Sequence, residues 1–304
     1  MSELEAKLRK TPVAKQVIAI CERITLPGFE GLSLYTLLKT YFVGIVKGTF
    51  SSRAGSIAFS FFMALFPFLL ILLNMIPYVP IENFQERFLE YLGELLPQST
   101  YEFFFPIIQD IAANPRGGLL SLVFLLTLYL MTNGVNAIFS GFEYSFHVTI
   151  NRSFFRQYFV ALVVSIFLAL LLILSVVVGV YSEYVIASLQ EGEYISNDLF
   201  WIKAVRFSIF VVMIYMIVAI LYYYGVKDSK NSRFFSIGAL VTTVLILLTT
   251  YLFGMYIDNF NSYNELYGSI GALLIMMLYI WINSNLLLLG FELNASIKIL
   301  KSKH

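Results

Sequence analysis

The chain has 304 residues, of which 59% are hydrophobic and 13% are charged, and its formal net charge is +1. A soluble domain carries about 25% charged residues, so the composition indicates an integral membrane protein and excludes an ordinary soluble catalytic domain. The low net charge gives no overall basic field for nucleic acid, and a single cysteine, Cys21, with two distant histidines, His147 and His304, predicts no disulfide framework, metal site or cofactor.

The first 51 residues are predicted to form a cytoplasmic segment. Residues 2–24 mix apolar and basic side chains, which suits either a short helix at the membrane surface or a solvated tail. After the break at Pro27 and Gly28, the apolar residues follow the spacing of one helical face. They are Leu34, Leu37, Leu38, Tyr41, Phe42 and Ile45. We therefore predict an N-terminal amphipathic helix that lies in the membrane interface before the first span.

Six later segments are apolar and long enough to cross a hydrocarbon core about 30 Å thick, which takes roughly 20 residues. The predicted spans are residues 57–79, 117–144, 158–181, 201–224, 237–257 and 268–292. The predicted fold is therefore all-α, a polytopic membrane bundle of six transmembrane helices within residues 52–296. Residues 80–116 carry six acidic residues against two basic ones and are predicted to form a helical hairpin over the outer face, and residues 297–304 a cytoplasmic tail.

The distribution of basic residues predicts the orientation of this bundle. Of the 20 lysine and arginine residues, 16 lie before span 1, between spans 2 and 3, between spans 4 and 5, or after span 6. The loops on the opposite side of the membrane contain only two basic residues, Arg87 and Arg116. Because basic loops stay on the cytoplasmic side, both termini are predicted to be cytoplasmic.

The first span has a stripe of small and polar residues, which fall within about 60° of one another on a helical wheel. They are Arg53, Ser56, Ser60, Pro67 and Asn74. Pro67 removes one backbone hydrogen bond in mid-span, so a kink is expected there. Two interpretations are open: a kinked packing face, or part of a polar path with Pro67 as the hinge of a moving transporter.

The second span has the clearest polar stripe, formed by Asn133, Asn136, Ser140 and Glu143 at spacings of three and four residues. Polar side chains are costly in hydrocarbon, so we expect this stripe to point into the bundle and to contact span 1 or span 6. The third span, in contrast, is nearly all aliphatic, and we expect it to face lipid.

The sixth span combines polar residues with small ones. Asn285, Glu292 and Ser296 share one helical face, and Asn283 and Asn294 share the opposite one. We expect both faces to meet other helices or water. Near its start lie the small residues Gly268, Gly271 and Ala272, which allow a neighbouring backbone to approach closely.

The fourth span has basic residues at its start and aromatic residues at its end. Lys203 and Arg206 lie in its first turns, where they either extend to the membrane surface or hold an anionic group on the outer side. Tyr222, Tyr223 and Tyr224 are predicted to form an interfacial aromatic belt.

Two stretches resemble a known family. They are residues 52–70, SRAGSIAFSFFMALFPFLL, and the pattern YGSIGA at residues 267–272 followed by Trp281 and by GFELNA at residues 290–295. This combination resembles the YihY/BrkB family of bacterial membrane proteins, some of which carry a ribonuclease BN label. The resemblance implies a multi-pass protein of the bacterial inner membrane.

Ribonuclease activity does not fit the residues. Phosphodiester hydrolysis needs clustered carboxylates or histidines for metal ions, or a placed general acid and base. Most acidic residues here are single and lie in the predicted outer loops, so we expect no enzyme activity and no nucleic-acid partner.

Two functional classes fit the polar stripes. In the first, the protein is a transporter or flippase that moves an amphiphilic or anionic envelope-related substrate, such as a lipid, along a polar path between helices. In the second, it is an envelope scaffold, and the stripes join the helices to one another. The expected partners are the lipid bilayer and, in the first class, a lipid or small amphiphile; the sequence does not specify an oligomeric state.

Reporter fusions test the predicted topology. Fusions after Ser196 and Tyr263 should report an outside location, and fusions after Asn151 and Ser232 a cytoplasmic one, because the basic loops stay inside. An outside signal at Asn151 would contradict the six-span topology.

Overall fold

The computed structural model describes residues 50–75, 120–143, 153–191, 198–225, 234–259 and 269–302, together with residues 22, 35, 101, 105, 106 and 109. The predicted interfacial helix and the predicted outer hairpin therefore lie almost wholly outside the described residues.

The described residues form six long helices and contain no strand. The helices are α1 (Phe50–Met75), α2 (Leu120–Glu143), α3 (Phe154–Glu191), α4 (Asp198–Gly225), α5 (Ile237–Asn259) and α6 (Ser269–Ser302). Each contains a segment long and apolar enough to span a membrane. This confirms the predicted all-α bundle of six transmembrane helices.

The helix bounds differ from the predicted spans at several ends. Helix α1 begins at Phe50 and runs without a break through Pro67, whereas the first span was predicted to begin at residue 57. Helices α3 and α6 continue to Glu191 and Ser302, past the predicted ends at residues 181 and 292. The reason at α1 is that Arg53 is buried inside the bundle, so its charge does not mark a membrane surface.

The six helices form a closed ring. Each helix packs against its neighbours in sequence, and α6 packs against α1. Helix α2 also contacts α4 and α6 across the ring. The start of α1 contacts the end of α2, and the start of α5 contacts the later part of α6, so these neighbours run antiparallel.

The best-packed part of the core lies where α1, α3 and α5 begin and α2, α4 and α6 end, and we call this part the closed end. Its centre is an aromatic trio of Phe142, Tyr222 and Phe291, one residue from each of α2, α4 and α6. Phe142 and Phe291 stack with ring centroids 4.0 Å apart, and Tyr222 meets both rings edge-on at 5.7 and 5.8 Å. These three contacts join helices that are not sequence neighbours.

Two glycines let α5 and α6 approach closely at the closed end. A Cβ atom at Gly290 would overlap the hydroxyl of Thr242, and one at Gly238 would overlap the backbone oxygen of Gly290. Of the small residues predicted to serve this purpose, Gly271 is buried, Gly268 lies outside the described residues, and the side chain of Ala272 is not described.

A pair of glycine substitutions tests this close approach. Gly290→Ala should lower the melting temperature of the purified protein, since overpacking a well-packed site costs about 1–3 kcal/mol. The matched control is Gly254→Ala in α5, where a Cβ atom would meet nothing within 4 Å. Alanine is the better helix former, so the control should be neutral or slightly stabilising. Equal melting temperatures for the two variants would contradict the close packing.

Candidate functional site

The site begins with Arg53, in the first turns of α1. Its side chain is only 9% exposed, and its Nη1 donates a 2.7 Å hydrogen bond to the backbone oxygen of Gly141. Gly141 lies in the last turn of α2, where carbonyl groups have no partner within their own helix. A cation at a helix C-terminus also interacts favourably with the helix dipole. Arg53 therefore joins α1 to the end of α2.

Glu292 lies on α6, the helix that packs against α1. Its side chain is 1% exposed, and its carboxylate acts electrostatically on the Arg53 guanidinium. Burying either ion alone costs several kcal/mol, on the order of the whole stability of a small domain, and the opposite charge of Glu292 offsets part of the cost of burying Arg53. We call Arg53 and Glu292 the charge pair. It lies across the α1–α6 contact, which closes the ring.

The guanidinium of Arg53 is not fully hydrogen-bonded. The ring of Phe50 lies 4.5 Å from its central carbon. Its Nε and Nη2 groups are buried and have no hydrogen-bond partner. Ser296, one helical turn after Glu292, is also completely buried with an unpartnered Oγ. Buried polar groups are nearly always hydrogen-bonded, so this cluster is an exception that needs an explanation.

The rest of the predicted stripe in the first span does not share this environment. Ser56 is exposed, Ser60 and Pro67 are half-buried, and the side chain of Asn74 is not described. The residues of the predicted stripe therefore lie in different environments, because Arg53 points into the bundle while Ser56 lies at the surface. The four described side chains of this stripe thus do not share one enclosed surface.

The stripe in the second span meets α3. Gln157 of α3 is buried, and its Nε2 donates to Asn136 Oδ1 at 3.1 Å and to Ser140 Oγ at 3.2 Å. The prediction that these residues meet span 1 or span 6 was wrong for these hydrogen bonds. Asn133 and Glu143 are half-buried, and Glu143 makes a further interaction.

Helix α3 itself is less uniformly lipid-facing than predicted. Besides Gln157, it buries Ser165 and Ser175. Ser165 Oγ lies 3.5 Å from Thr132 Oγ1 of α2, and Ser175 donates to the sulfur of Met213 in α4. Three polar residues among many aliphatic ones are thus enough to give α3 an interior face.

The asparagines of α6 have two different roles. Asn283 and Asn285 donate to the backbone oxygens of Tyr279 and Trp281, four residues earlier in the same helix. Asn294 instead caps another helix: its Oδ1 accepts from the backbone N–H of Gly238 at 2.8 Å, and its Nδ2 donates to Ser236 Oγ. Asn294 and Ser236 together satisfy the first free N–H groups of α5.

Tyr222 forms the remaining polar contact of the closed end. Its hydroxyl donates to the backbone oxygen of Leu287 and lies 2.7 Å from Thr242 Oγ1. The tyrosine is only 4% exposed, so the prediction that it belongs to an interfacial belt was wrong, although Tyr224 is exposed. One side chain thus connects α4, α5 and α6.

Lys203 and Arg206 lie near the start of α4, at the opposite end of the bundle from the charge pair. Lys203 is exposed, whereas Arg206 is buried and has an interaction partner. The structure therefore does not bring them together with Arg53. No group of three His, Cys, Asp or Glu side chains that could hold a metal ion occurs within the described residues.

A profile of the family described as virulence factor BrkB matches residues 42–303 of this chain. The chain belongs to the virulence factor BrkB family. This confirms the resemblance found in the sequence, and the matched region of the BrkB-family protein contains all six helices and the charge pair.

Three relatives extend the comparison. The putative ribonuclease-like protein YfkH of Bacillus subtilis is 27% identical over 247 residues, which are 80% of this chain and 88% of that protein. A UPF0761 membrane protein of Psychrobacter sp. is 24% identical over 272 residues, which are 87% of this chain and 49% of that protein. A UPF0761 membrane protein of Neisseria meningitidis serogroup B is 22% identical over 247 residues, which are 80% of this chain and 59% of that protein.

The BrkB-family chain thus spans between 49% and 59% of the length of the Psychrobacter and Neisseria proteins. No solved structure matches it. Its six membrane-type helices and its membrane-protein relatives agree that it is a multi-pass membrane protein.

Proposed function

We propose that this BrkB-family protein moves an amphiphilic, anionic, envelope-related molecule across the membrane, in the manner of a transporter or flippase. The observation that carries the proposal is a difference in packing between the two ends of the bundle. The closed end holds the aromatic trio, the glycine contact and the charge pair, whereas the described residues at the other end include only a small buried apolar cluster around Phe253 and Ile275.

Helix α2 illustrates the difference within one helix. Near its end, Ile138, Phe139 and Phe142 are each at most 1% exposed. Near its start, exposed side chains point over more than half of the circumference of the helix, since each residue is rotated by about 100° from the one before it. They are Leu122, Phe124, Leu125, Leu126 and Tyr129. A bundle closed at one end and less tightly packed at the other is what an alternating-access cycle requires of one of its states.

The charge pair gives a second argument. Ionisable residues inside a membrane bundle are costly and typically mark a functional path. A bundle that needed only stability could replace the pair by apolar side chains of similar volume, often without loss. The presence of Arg53 and Glu292 at the α1–α6 contact is therefore better explained if this contact opens during transport.

The orientation of the bundle in this proposal follows from the basic loops. With cytoplasmic termini, the closed end faces the cytoplasm and the exposed end faces outward. Lys203, which is exposed near the start of α4, would then attract an anionic group on the outer side, whereas Arg206 is buried and already has an interaction partner. In this proposal the protein lies in the bacterial inner membrane, and its substrate comes from the lipid bilayer.

A scaffold function is the alternative, and specific contacts favour it. The bonds from Gln157 to Asn136 and Ser140, and from Asn294 to Gly238, connect neighbouring helices as a static bundle would. The name of the Bacillus relative suggests a third function, RNA cleavage. We propose that this chain is not an enzyme, since cleavage would need clustered acid, base or metal-binding groups.

A lipid-translocation assay tests the transport proposal. Vesicles that contain fluorescent phosphatidylglycerol in both leaflets are treated with dithionite, which reduces only the outer-leaflet label. Wild-type protein should raise the reduced fraction above that of protein-free vesicles. Asn136→Leu and Asn285→Leu should each slow this flux severalfold, because they remove polar groups from the proposed path.

The same variants should keep their melting temperatures close to that of the wild type, since a membrane hydrogen bond contributes about 0.6 kcal/mol. Ser175→Ala is the control: it also removes a buried polar group, but one that contacts Met213 away from the proposed path. Wild-type flux equal to that of empty vesicles would refute transport of this lipid, and wild-type rates in both asparagine variants would refute the path.

A further inference from the structure

The two unpartnered donors of Arg53 have a specific geometry. Nη1 is occupied by Gly141, and the free groups are Nε and Nη2. These two N–H groups form the side-on edge of the guanidinium and point in parallel. This edge matches two oxygens of one carboxylate or phosphate, and the resulting bidentate bonds are among the strongest in proteins.

We infer that the side-on edge of Arg53 binds an oxyanion, namely the phosphate or carboxylate of the transported amphiphile. This inference rests on the proposed function, whose substrate class it specifies. A fully hydrogen-bonded arginine would be sufficient for a structural contact between α1 and α2. A buried arginine that keeps its strongest binding edge free is poised for a ligand that is not always present.

Glu292 acts in this site as a built-in anion. It is buried and acts electrostatically on Arg53, yet neither Nε nor Nη2 has a hydrogen-bond partner. Its charge therefore balances that of Arg53 while the binding edge remains unoccupied. An incoming oxyanion repels Glu292. Binding of the oxyanion therefore weakens the α1–α6 contact and favours opening of the closed end. Ser296, with its unpartnered Oγ one turn further along α6, offers an additional hydroxyl on the same helical face.

Binding measurements on the purified full-length protein test the inference. The probes are dodecyl phosphate, inorganic phosphate and dodecanol, titrated into protein in a non-ionic detergent and followed by calorimetry. Dodecyl phosphate should bind and dodecanol should not. Binding of inorganic phosphate as well would identify a site for free phosphate, and binding of the amphiphile alone would identify a site for a lipid-like headgroup. Both outcomes support an oxyanion site.

Four variants distinguish the Arg53 edge from general charge attraction. Arg53→Gln should weaken binding of dodecyl phosphate about tenfold or more, because charge-assisted bonds are lost. Arg53→Lys keeps the positive charge but lacks the two parallel N–H groups of the guanidinium. It should weaken binding of dodecyl phosphate less than Arg53→Gln does. Glu292→Gln should tighten binding about tenfold, because a buried like charge is removed. Arg156→Gln removes an exposed arginine near the start of α3 and is the matched control, which should change affinity less than about twofold.

Three results would overturn the inference: no binding of dodecyl phosphate or inorganic phosphate to the folded wild type, equal losses in Arg53→Gln and Arg156→Gln, or weaker binding in Glu292→Gln. If Arg53→Gln does not fold, Arg53→Lys and Glu292→Gln still give opposite expected shifts. Arg53-dependent binding without lipid flux would refute the transport proposal alone, and flux without such binding would refute this inference alone.

Discussion

The ring depends on a pair of opposite charges held inside a hydrophobic bundle. Arg53 of α1 and Glu292 of α6 lie where the last helix meets the first, and each would be costly to bury without the other. Removal of one member leaves an uncompensated charge in the interior. We therefore expect the α1–α6 contact to weaken when either charge is removed.

The other polar contacts at the same end follow one rule, which is that helix ends carry backbone groups without partners. Arg53 occupies a free carbonyl at the end of α2, and Asn294 with Ser236 occupies free N–H groups at the start of α5. Where such groups are buried they have no access to water, so a neighbouring helix supplies the partner. The same contacts that satisfy the backbone thus fix which helices lie side by side.

Hydropathy was sufficient to predict six spans, because it depends on each segment alone. The helical wheel placed Arg53 and Glu292 on polar stripes. It could not predict their pairing. A helical wheel gives the direction of a side chain about its own axis but not which helix lies in that direction. For this reason the hydrogen bond between Asn136 and α3 was not foreseen, Tyr222 was taken for an interfacial residue, and the capping role of Asn294 was missed. The 60° between Arg53 and Ser56 on the wheel is enough to bury one and expose the other.

The central claim is that the charge pair holds the first and last helices together, and a double-mutant cycle measures it most directly. The quantities are the free energies of unfolding of wild type, Arg53→Met, Glu292→Gln and the double variant. We predict that Arg53→Met alone costs about 3–5 kcal/mol, because it leaves the buried carboxylate of Glu292 without the opposite charge of Arg53. Adding Glu292→Gln should restore much of this loss. Additive effects of the two substitutions, with no restoration in the double variant, would contradict the account.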